Sequence, residues 1–547
     1  MNKTSAHPTT FEALSRFAAP LILILNIVFV LPVFLPGLSE LTSFDDAFYI
    51  NNGRELTEGI LPLYAHNPFV ALFYALIYIP VQSSPFWLVH SCRIGRFLLF
   101  GLLWLSSYLI AKRLSGLSNS LIITLLLLVS PVLPSIITNG SDALFAAMSG
   151  FCFWKILSFY YTKNIRHLWL SSVFVALAAL SRNEGLILFL AFIPFCVLIN
   201  RSLRAAGTSL VAWIAPFIII VVGYVVLYGL ATRNFELGIA KRAYSSFEQG
   251  YGQAIRYLPE RLSYLEGVPM ARRIFGTPEE NNYSVIAAIR RNPEIYFNRA
   301  IEVAKKIPFV VVSVYGGWLG IVFFLLAARG IIELVKKKLF LLLCILLLWP
   351  GYLLLHLLFL YRTNHFLTPY FIVFSLASVG IVSILSNVGN KKESFFRFSA
   401  FFVLIIIFCV ALLSGASSYY RRHFNRFRAL GTAPDEKAVM FMKEHLHTGA
   451  RVGTFEPKYA FAAKVTYVPM YLELRGIASD RELSAWIDGQ NLKAIFLNAD
   501  FRLFEPSLCA LIERQIGKSL KVGFASKDGD IKVLLVTPQP SFDLKDE

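Results

Sequence analysis

Long apolar runs separated by short polar breaks set the pattern of this chain. A membrane-crossing helix needs about 20 consecutive apolar residues. Runs of that kind recur about eleven times, at 18–36, 86–111, 120–137, 143–161, 168–180, 185–199, 209–231, 307–328, 339–360, 366–385 and 398–416. Two are short, 168–180 and 185–199, and are joined by Ser181-Arg182-Asn183-Glu184. A short hairpin draws its turn to membrane depth, where irregular backbone is tolerated only if buried in protein or lining a wet cavity. Arg182 and Glu184 either face such a cavity or simply pair with each other, and the pattern leaves both readings open.

Three long stretches interrupt the runs. The first, 37–85, contains PFVALFYALIYIP at 68–80. That segment is too short to span and is bounded by prolines, which suits a helix lying in the interface. The second, 232–306, is of mixed charge, with Arg256, Arg261, Arg272, Arg273, Arg290 and Arg291. A loop of that length is usually functional or disordered. The third is the tail from 419, where the period of the apolar positions changes. It predicts a helix over 434–447, a strand at 450–455 and a helix at 480–489 leading to a strand at 493–497. A helix at 506–516 and strands at 520–525 and 531–537 follow, the last two around an Asp528-Gly529-Asp530 turn. Alternating helices and strands argue for an α/β layer. The tail carries neither GxGxxG nor a P-loop, so it reads as recognising an acceptor or bracing the outer face.

The 547 residues are 56% hydrophobic and only 16% charged, against about 25% charged in soluble proteins. The net charge of +18 does not point to nucleic acid, because much of it sits in short loops: Lys112 and Arg113, Lys163 and Arg166, Arg201 and Arg204, Lys336 to Lys338, and Lys391 and Lys392. Every second connection is basic, so these loops are cytoplasmic. The N-terminus is then cytoplasmic as well, and an odd number of spans places the tail outside. The expected fold class is a polytopic α-helical membrane protein with about eleven transmembrane helices and a small C-terminal α/β extracytoplasmic domain. The expected domains are a cytoplasmic N-terminus (1–17), a transmembrane domain (18–418) with outer loops 37–85 and 232–306, and the extracytoplasmic domain (419–547). The localisation is the inner (plasma) membrane. The N-terminal segment reads as an uncleaved anchor. Six cysteines show no CxxC spacing, and neither a disulfide framework nor a zinc site is supported.

The candidate chemistry begins with Asp45 and Asp46, in SFDDAFYINNGRELTEG at 43–59. An acidic pair beside a bilayer is costly unless it faces water, a cation or a reaction. The topology puts three polar sets on the same outer side: Asp45, Asp46 and Arg54; Asn139, Ser141 and Asp142; and Arg362, Asn364 and His365. Arg182 and His66 join them. These residue types suit a sugar transfer, in which a hydroxyl loses its proton to a carboxylate as it attacks an anomeric carbon. Arginines recognise the oxygens of a leaving lipid phosphate. Asp45, Asp46 and Asp142 could also hold a divalent cation, with substrate phosphate completing its shell. Plainer roles stand beside these. The acidic pair could cap the helix that follows, and Asp142 could cap its own span. Arg362 could snorkel to headgroups, and His66 and His365 could be interfacial.

Several of these segments, in order, resemble the C-type membrane glycosyltransferase superfamily. The likeness is to bacterial members related to protein O-mannosyltransferases, to the aminoarabinose transferase of lipid A and to rhizobial lipopolysaccharide core sugar transferases. FDDAFY (44–49) follows the first span. GILPLYAHNPF (59–69) is similar to the family's G-x-P-Y…H-P-P run, with Asn67 at one proline position. ALAALSRNEGLILF (176–189) is similar to its short hairpin, and YRTNHFLTPY (361–370) to its late basic-proline segment. The resemblance implies a polyprenyl-phosphate sugar as donor, a glycan, lipid or protein as acceptor, and an inverting transfer at the outer membrane face. It further implies Asp45 as catalytic aspartate, Asp46 where many members have Glu, and Asp142 as a second acidic residue near the reaction. Arg54, Arg182, Arg362 and His365 are expected at the donor phosphate. The loop after 231 would order over substrate. The competing reading is a transporter or flippase of lipid-linked glycan, for which a broken hairpin holding Arg182 and Glu184 would serve.

Overall fold

The computed structural model describes residues 41, 45–61, 67–115, 136–137, 139–200, 202–233, 243–244, 247–248, 250–251, 264–315, 317–336, 368–387, 433–470, 474, 477 and 479–537. The expected spans at 18–36, 339–360 and 398–416, and nearly all of 120–137, lie outside these residues, as do His66, Arg362 and His365. For Asp45 the backbone is described and the side chain is not.

The first helices are α1 (Asp45–Thr57), α2 (Pro68–Tyr78), α3 (Trp87–Ser115), α4 (Gly140–Thr162), α5 (Ile165–Ser181), α6 (Glu184–Ala191), α7 (Ile193–Leu198) and α8 (Leu203–Thr232). Then come α9 (Tyr264–Phe275), α10 (Val285–Arg291), α11 (Pro293–Val314), α12 (Trp318–Lys336) and α13 (Tyr370–Asn387). The tail runs α14 (Pro434–His445), β1 (Arg451–Thr454), α15 (Pro457–Ala463), β2 (Thr466–Pro469), α16 (Asp480–Gly489), β3 (Ala494–Leu497), α17 (Ala499–Phe504), α18 (Pro506–Glu513), β4 (Leu520–Ala525) and β5 (Lys532–Val536). The described residues fall into two compact units. One takes the described residues within 61–70 and 97–387, and the other those within 41–60, 71–96 and 433–537.

In the first unit the apolar pattern becomes packed helices. Among the described residues three helices are long and apolar enough to cross a membrane: Trp87–Leu114, Gly140–Thr162 and Leu203–Thr232. They differ in what surrounds them. α4 is buried on almost every side, whereas Val211, Ile219 and Leu227 of α8 are exposed. A helix apolar all round with an exposed face needs lipid against it. Trp213 fixes α8 to the short hairpin: its indole N–H donates to the Phe189 carbonyl at 3.2 Å, and its ring stacks on Phe189 at 5.7 Å. Tyr370 of α13 donates to the Leu103 carbonyl at 3.0 Å and accepts from Ser107 at 3.1 Å.

The expected span at 307–328 is instead two helices. α11 ends at Val314 and α12 begins at Trp318, with Gly317 at φ +64° between them. That left-handed geometry is available to glycine at little cost and stops a helix. Within 232–306 the described part is a small helical fold with its own aromatic core of Tyr244, Phe247, Tyr251, Phe275 and Tyr296. Buried Asn281 donates to the Tyr244 hydroxyl at 2.7 Å and the Phe275 carbonyl at 2.8 Å, which satisfies the polar groups that this core covers.

The second unit contains a five-stranded sheet in the order β2-β1-β3-β5-β4. β1 pairs in parallel with β2 and β3, while β5 runs antiparallel to both β3 and β4. β3 is buried at every position, as a central strand between covered faces should be. Its Ile495 and Leu497 pack with Ile487, Phe501, Ile512 and Leu534. The turn between β4 and β5 uses Gly529 at φ +74°. α1 belongs to this unit and packs against α15.

In the first unit α12 and α13 cross closely. A Cβ added at Gly380 would run into the Leu326 carbonyl oxygen, and one at Gly330 into that of Leu376. Gly380→Ala should therefore cost about 1–3 kcal/mol and lower the melting temperature of the detergent-purified protein. Gly207→Ala, on α8 with open space around it, should leave it unchanged or raise it. Equal melting temperatures for both variants would contradict the close crossing.

Candidate active site

In the second unit the acidic pair opens α1. Asp45 and Asp46 are its first two residues. Carboxylates there are favoured by the free backbone N–H groups and the helix dipole. Asp46 does more than sit at a helix start. Its carboxylate is 1% exposed and lies 3.3 Å from Arg96 Nη2, itself buried on α3. A buried carboxylate is tolerated when a hydrogen-bonded cation faces it. Tyr74 of α2 belongs to the same buried group. Burial first, and then the Asp46 charge, push its phenol well above the ordinary value, so it stays neutral. α1 approaches α2 through Gly53, where a Cβ would meet the backbone of Tyr74 and Ala75 at 2.7 Å.

Arg54 lies two turns further along α1, about 12 Å from Asp46 along the axis. It donates through Nε to Asn51 at 3.1 Å, lies 3.6 Å from Glu58 and rests over the Trp87 ring at 5.7 Å. These contacts do not include Asp46.

In the first unit a second cluster joins three residues. Asp142 is in the first turn of α4, two positions past the helix start, and Asn139 is the N-cap without a side-chain capping bond. Arg182 stands in extended backbone between α5 and α6, and Glu184 begins α6. The Arg182 guanidinium contacts Asp142 through Nη1 and holds Glu184 Oε1 through Nη2 at 2.6 Å and Nε at 3.2 Å. All three are buried, with Asp142 1% exposed, Arg182 4% and Glu184 8%. The turn is tight because Gly185 lies against the backbone of Ala178 and Ala179, where a Cβ would clash. The plainer expectation for Arg182 and Glu184, a pair, is thus what the hairpin contains, enlarged by Asp142.

Arg96 was not among the expected site residues. Its signal was a pair of arginines, Arg93 and Arg96, within an otherwise apolar run, where a buried cation calls for a counter-charge. As to a divalent cation, Asp46 and Asp142 are each held by an arginine. Among the described residues no group of three or more His, Cys, Asp or Glu side chains converges for a metal.

The fold is similar to that of solved membrane-bound transferases. The solved structures it resembles include the oligosaccharyltransferase AglB of Archaeoglobus fulgidus in complex with an inhibitory peptide and a dolichol-phosphate. The likeness has a TM-score of 0.55 and 12% identity over 96% of this chain and 75% of that one. The same archaeal oligosaccharyltransferase with Zn and sulfate matches at a TM-score of 0.52 and 13% identity, over 94% and 72% of the two chains. ArnT of Cupriavidus metallidurans bound to undecaprenyl phosphate gives 0.44 and 12%, over 94% and 99%. No family model and no curated protein matches the sequence.

The buried cluster makes a direct prediction. Arg182→Met and Asp142→Asn should each destabilise the protein by about 3–5 kcal/mol, because each leaves a buried group without its partner. The double variant should cost less than the sum. A double-mutant cycle on thermal unfolding in detergent measures the coupling, and strict additivity would show that the two groups do not act on each other.

Proposed function

We propose that this protein transfers a sugar from a polyprenyl-phosphate-linked donor to a glycan, lipid or protein acceptor at the outer face of the membrane, with inversion and with Asp45 as base. The observation that carries the reading is the glycosyltransferase fold over nearly the whole chain, with an acidic pair opening the helix that follows the first apolar run. The archaeal neighbour's complex with a dolichol-phosphate supports a lipid phosphate as the leaving group. A nucleotide sugar is not expected outside the cytoplasm.

In this reading the two aspartates divide the work. Asp46 is buried and held by Arg96, so it fixes the start of α1. Asp45, one residue earlier, takes the proton. The acceptor hydroxyl attacks the anomeric carbon from the face opposite the phosphate. The new C–O bond forms, the bond to the phosphate oxygen breaks, the proton passes to Asp45, and polyprenyl phosphate leaves with its electron pair. Arg54, Arg362 and His365 are the groups proposed for the phosphate. Arg182 holds Asp142 and Glu184 through all three guanidinium nitrogens, and in this reading it orients Asp142.

General-base catalysis contributes about 10²–10⁴-fold. Asp45→Asn should therefore lower turnover by about that factor while the melting temperature and the donor KM hold. Asp46→Asn should also lower the melting temperature, because it leaves Arg96 facing a neutral group. The assay is transfer by purified protein in proteoliposomes. It is supported in cells by mass spectrometry of lipid-linked and surface glycans in a deletion strain and its parent. Normal transfer by the Asp45→Asn variant would remove Asp45 as base. Movement of labelled lipid across the bilayer without any bond change would replace the enzyme with a flippase.

A further inference from the structure

Open α/β sheets ordinarily bind a ligand at the carboxyl ends of their parallel strands. β1 and β3 are parallel neighbours, and the residues at and just past their ends are buried and polar: Thr454, Glu456 and Lys458 after β1, and Asn498 after β3. A lysine 1% exposed in a small domain is unusual, because long charged side chains are almost never fully buried unless paired. Lys458 is paired. Its ammonium lies 2.7 Å from Glu456 Oε2 and donates to the carbonyl oxygen of Leu41 at 3.5 Å. Leu41 is itself buried and stands four residues before Asp45. The helix that carries Lys458, α15, packs against α1. At its other end, Lys464 donates to the Gln82 carbonyl at 3.4 Å, in the segment after α2.

The polar groups at these strand ends thus find partners within the chain. We infer that Lys458, with Glu456 as its counter-charge, is a positioning residue: it holds the backbone leading into the acidic pair and so sets where α1 begins. The role of the tail is then to brace the first outer segment rather than to bind a separate small molecule at its strand ends. A buried ion pair is weak as a source of stability, and its best-attested use is to fix one arrangement among several. A backbone carbonyl bonded to a desolvated ammonium has a fixed position that apolar packing alone does not give it. The catalytic part of this inference rests on the reading of Asp45 given above. The grip on Leu41 does not.

The test uses the full-length protein in proteoliposomes with Leu41→Cys as a reporter, labelled by a membrane-impermeant maleimide. In that background Lys458→Met should raise the labelling rate several-fold. In the otherwise native protein it should lower kcat by about 100-fold, the cost of a misplacement on the order of 1 Å at a reacting centre, with the donor KM unchanged. Lys458→Arg, which keeps the charge and a donor, should restore much of both. If Lys458→Met does not fold, Glu456→Gln is the second variant, and it should shift labelling and kcat in the same directions by less. Unchanged labelling overturns the grip, whatever happens to turnover. Faster labelling with unchanged kcat overturns the positioning role. Should the native protein transfer no sugar, the proposed function fails, while the labelling still decides whether Lys458 holds the segment.

Discussion

A charge taken out of water must meet an opposite charge, and the polar architecture of this protein follows from that constraint. Asp46, Asp142, Glu184 and Glu456 are all buried, and each has a cation within contact: Arg96, Arg182 for two of them, and Lys458. None of these pairs need add much net stability, since desolvation offsets most of the attraction. What they do is remove freedom. Two of them join a helix start to a distant element, α1 to α3 and α4 to the α5–α6 turn, while the Glu456–Lys458 pair is local and its lysine reaches the Leu41 carbonyl. The helical scaffold supplies apolar bulk, and the ion pairs decide how its ends are registered.

This division explains why two adjacent aspartates can have different roles. The first turn of a helix favours both, and Asp46 also faces a buried guanidinium. A buried carboxylate held by its cation is fixed in place and is not free to move toward a substrate. Its neighbour is the better candidate for proton transfer, and the pairing of Asp46 is what gives the start of α1 a defined direction. The same logic bears on Arg182. A guanidinium with all three nitrogens engaged by carboxylates is a scaffold for those carboxylates before it is a ligand for phosphate.

Much of this was legible in the sequence, and the exceptions have physical causes. The apolar period exposed the helices at 86–111, 143–161 and 209–231 because length and composition alone specify a span. The proline-bounded segment at 68–80 was readable as a short helix, which is α2. The break between α11 and α12 was not, because hydropathy averages over Gly317, whose left-handed backbone permits it. In the tail, α15 and β2 escaped notice. α15 is short, and β2 is an edge strand ending in Pro469, a position where proline is tolerated but propensity is weak. Lys458 lies within that unread stretch. Its burial comes from packing against α1, far away in sequence, and no local pattern encodes it. Arg96 was hidden for a related reason, since Arg93 and Arg96 stand one turn apart in the same run and the sequence does not say which of them is buried against a carboxylate. Spacing did bring Asp142 and Arg182 to attention, though it could not say that they touch.

The central claim is a bond-forming transfer with inversion from a lipid phosphate. It is tested most directly by incubating the purified protein with a polyprenyl-phosphate sugar of known anomeric configuration and an acceptor, then determining the configuration of the new glycosidic linkage by NMR. The account predicts release of polyprenyl phosphate in step with product, and a linkage of the opposite configuration to that of the donor. A product of retained configuration, or donor moved across the bilayer with its sugar–phosphate bond intact, would contradict it.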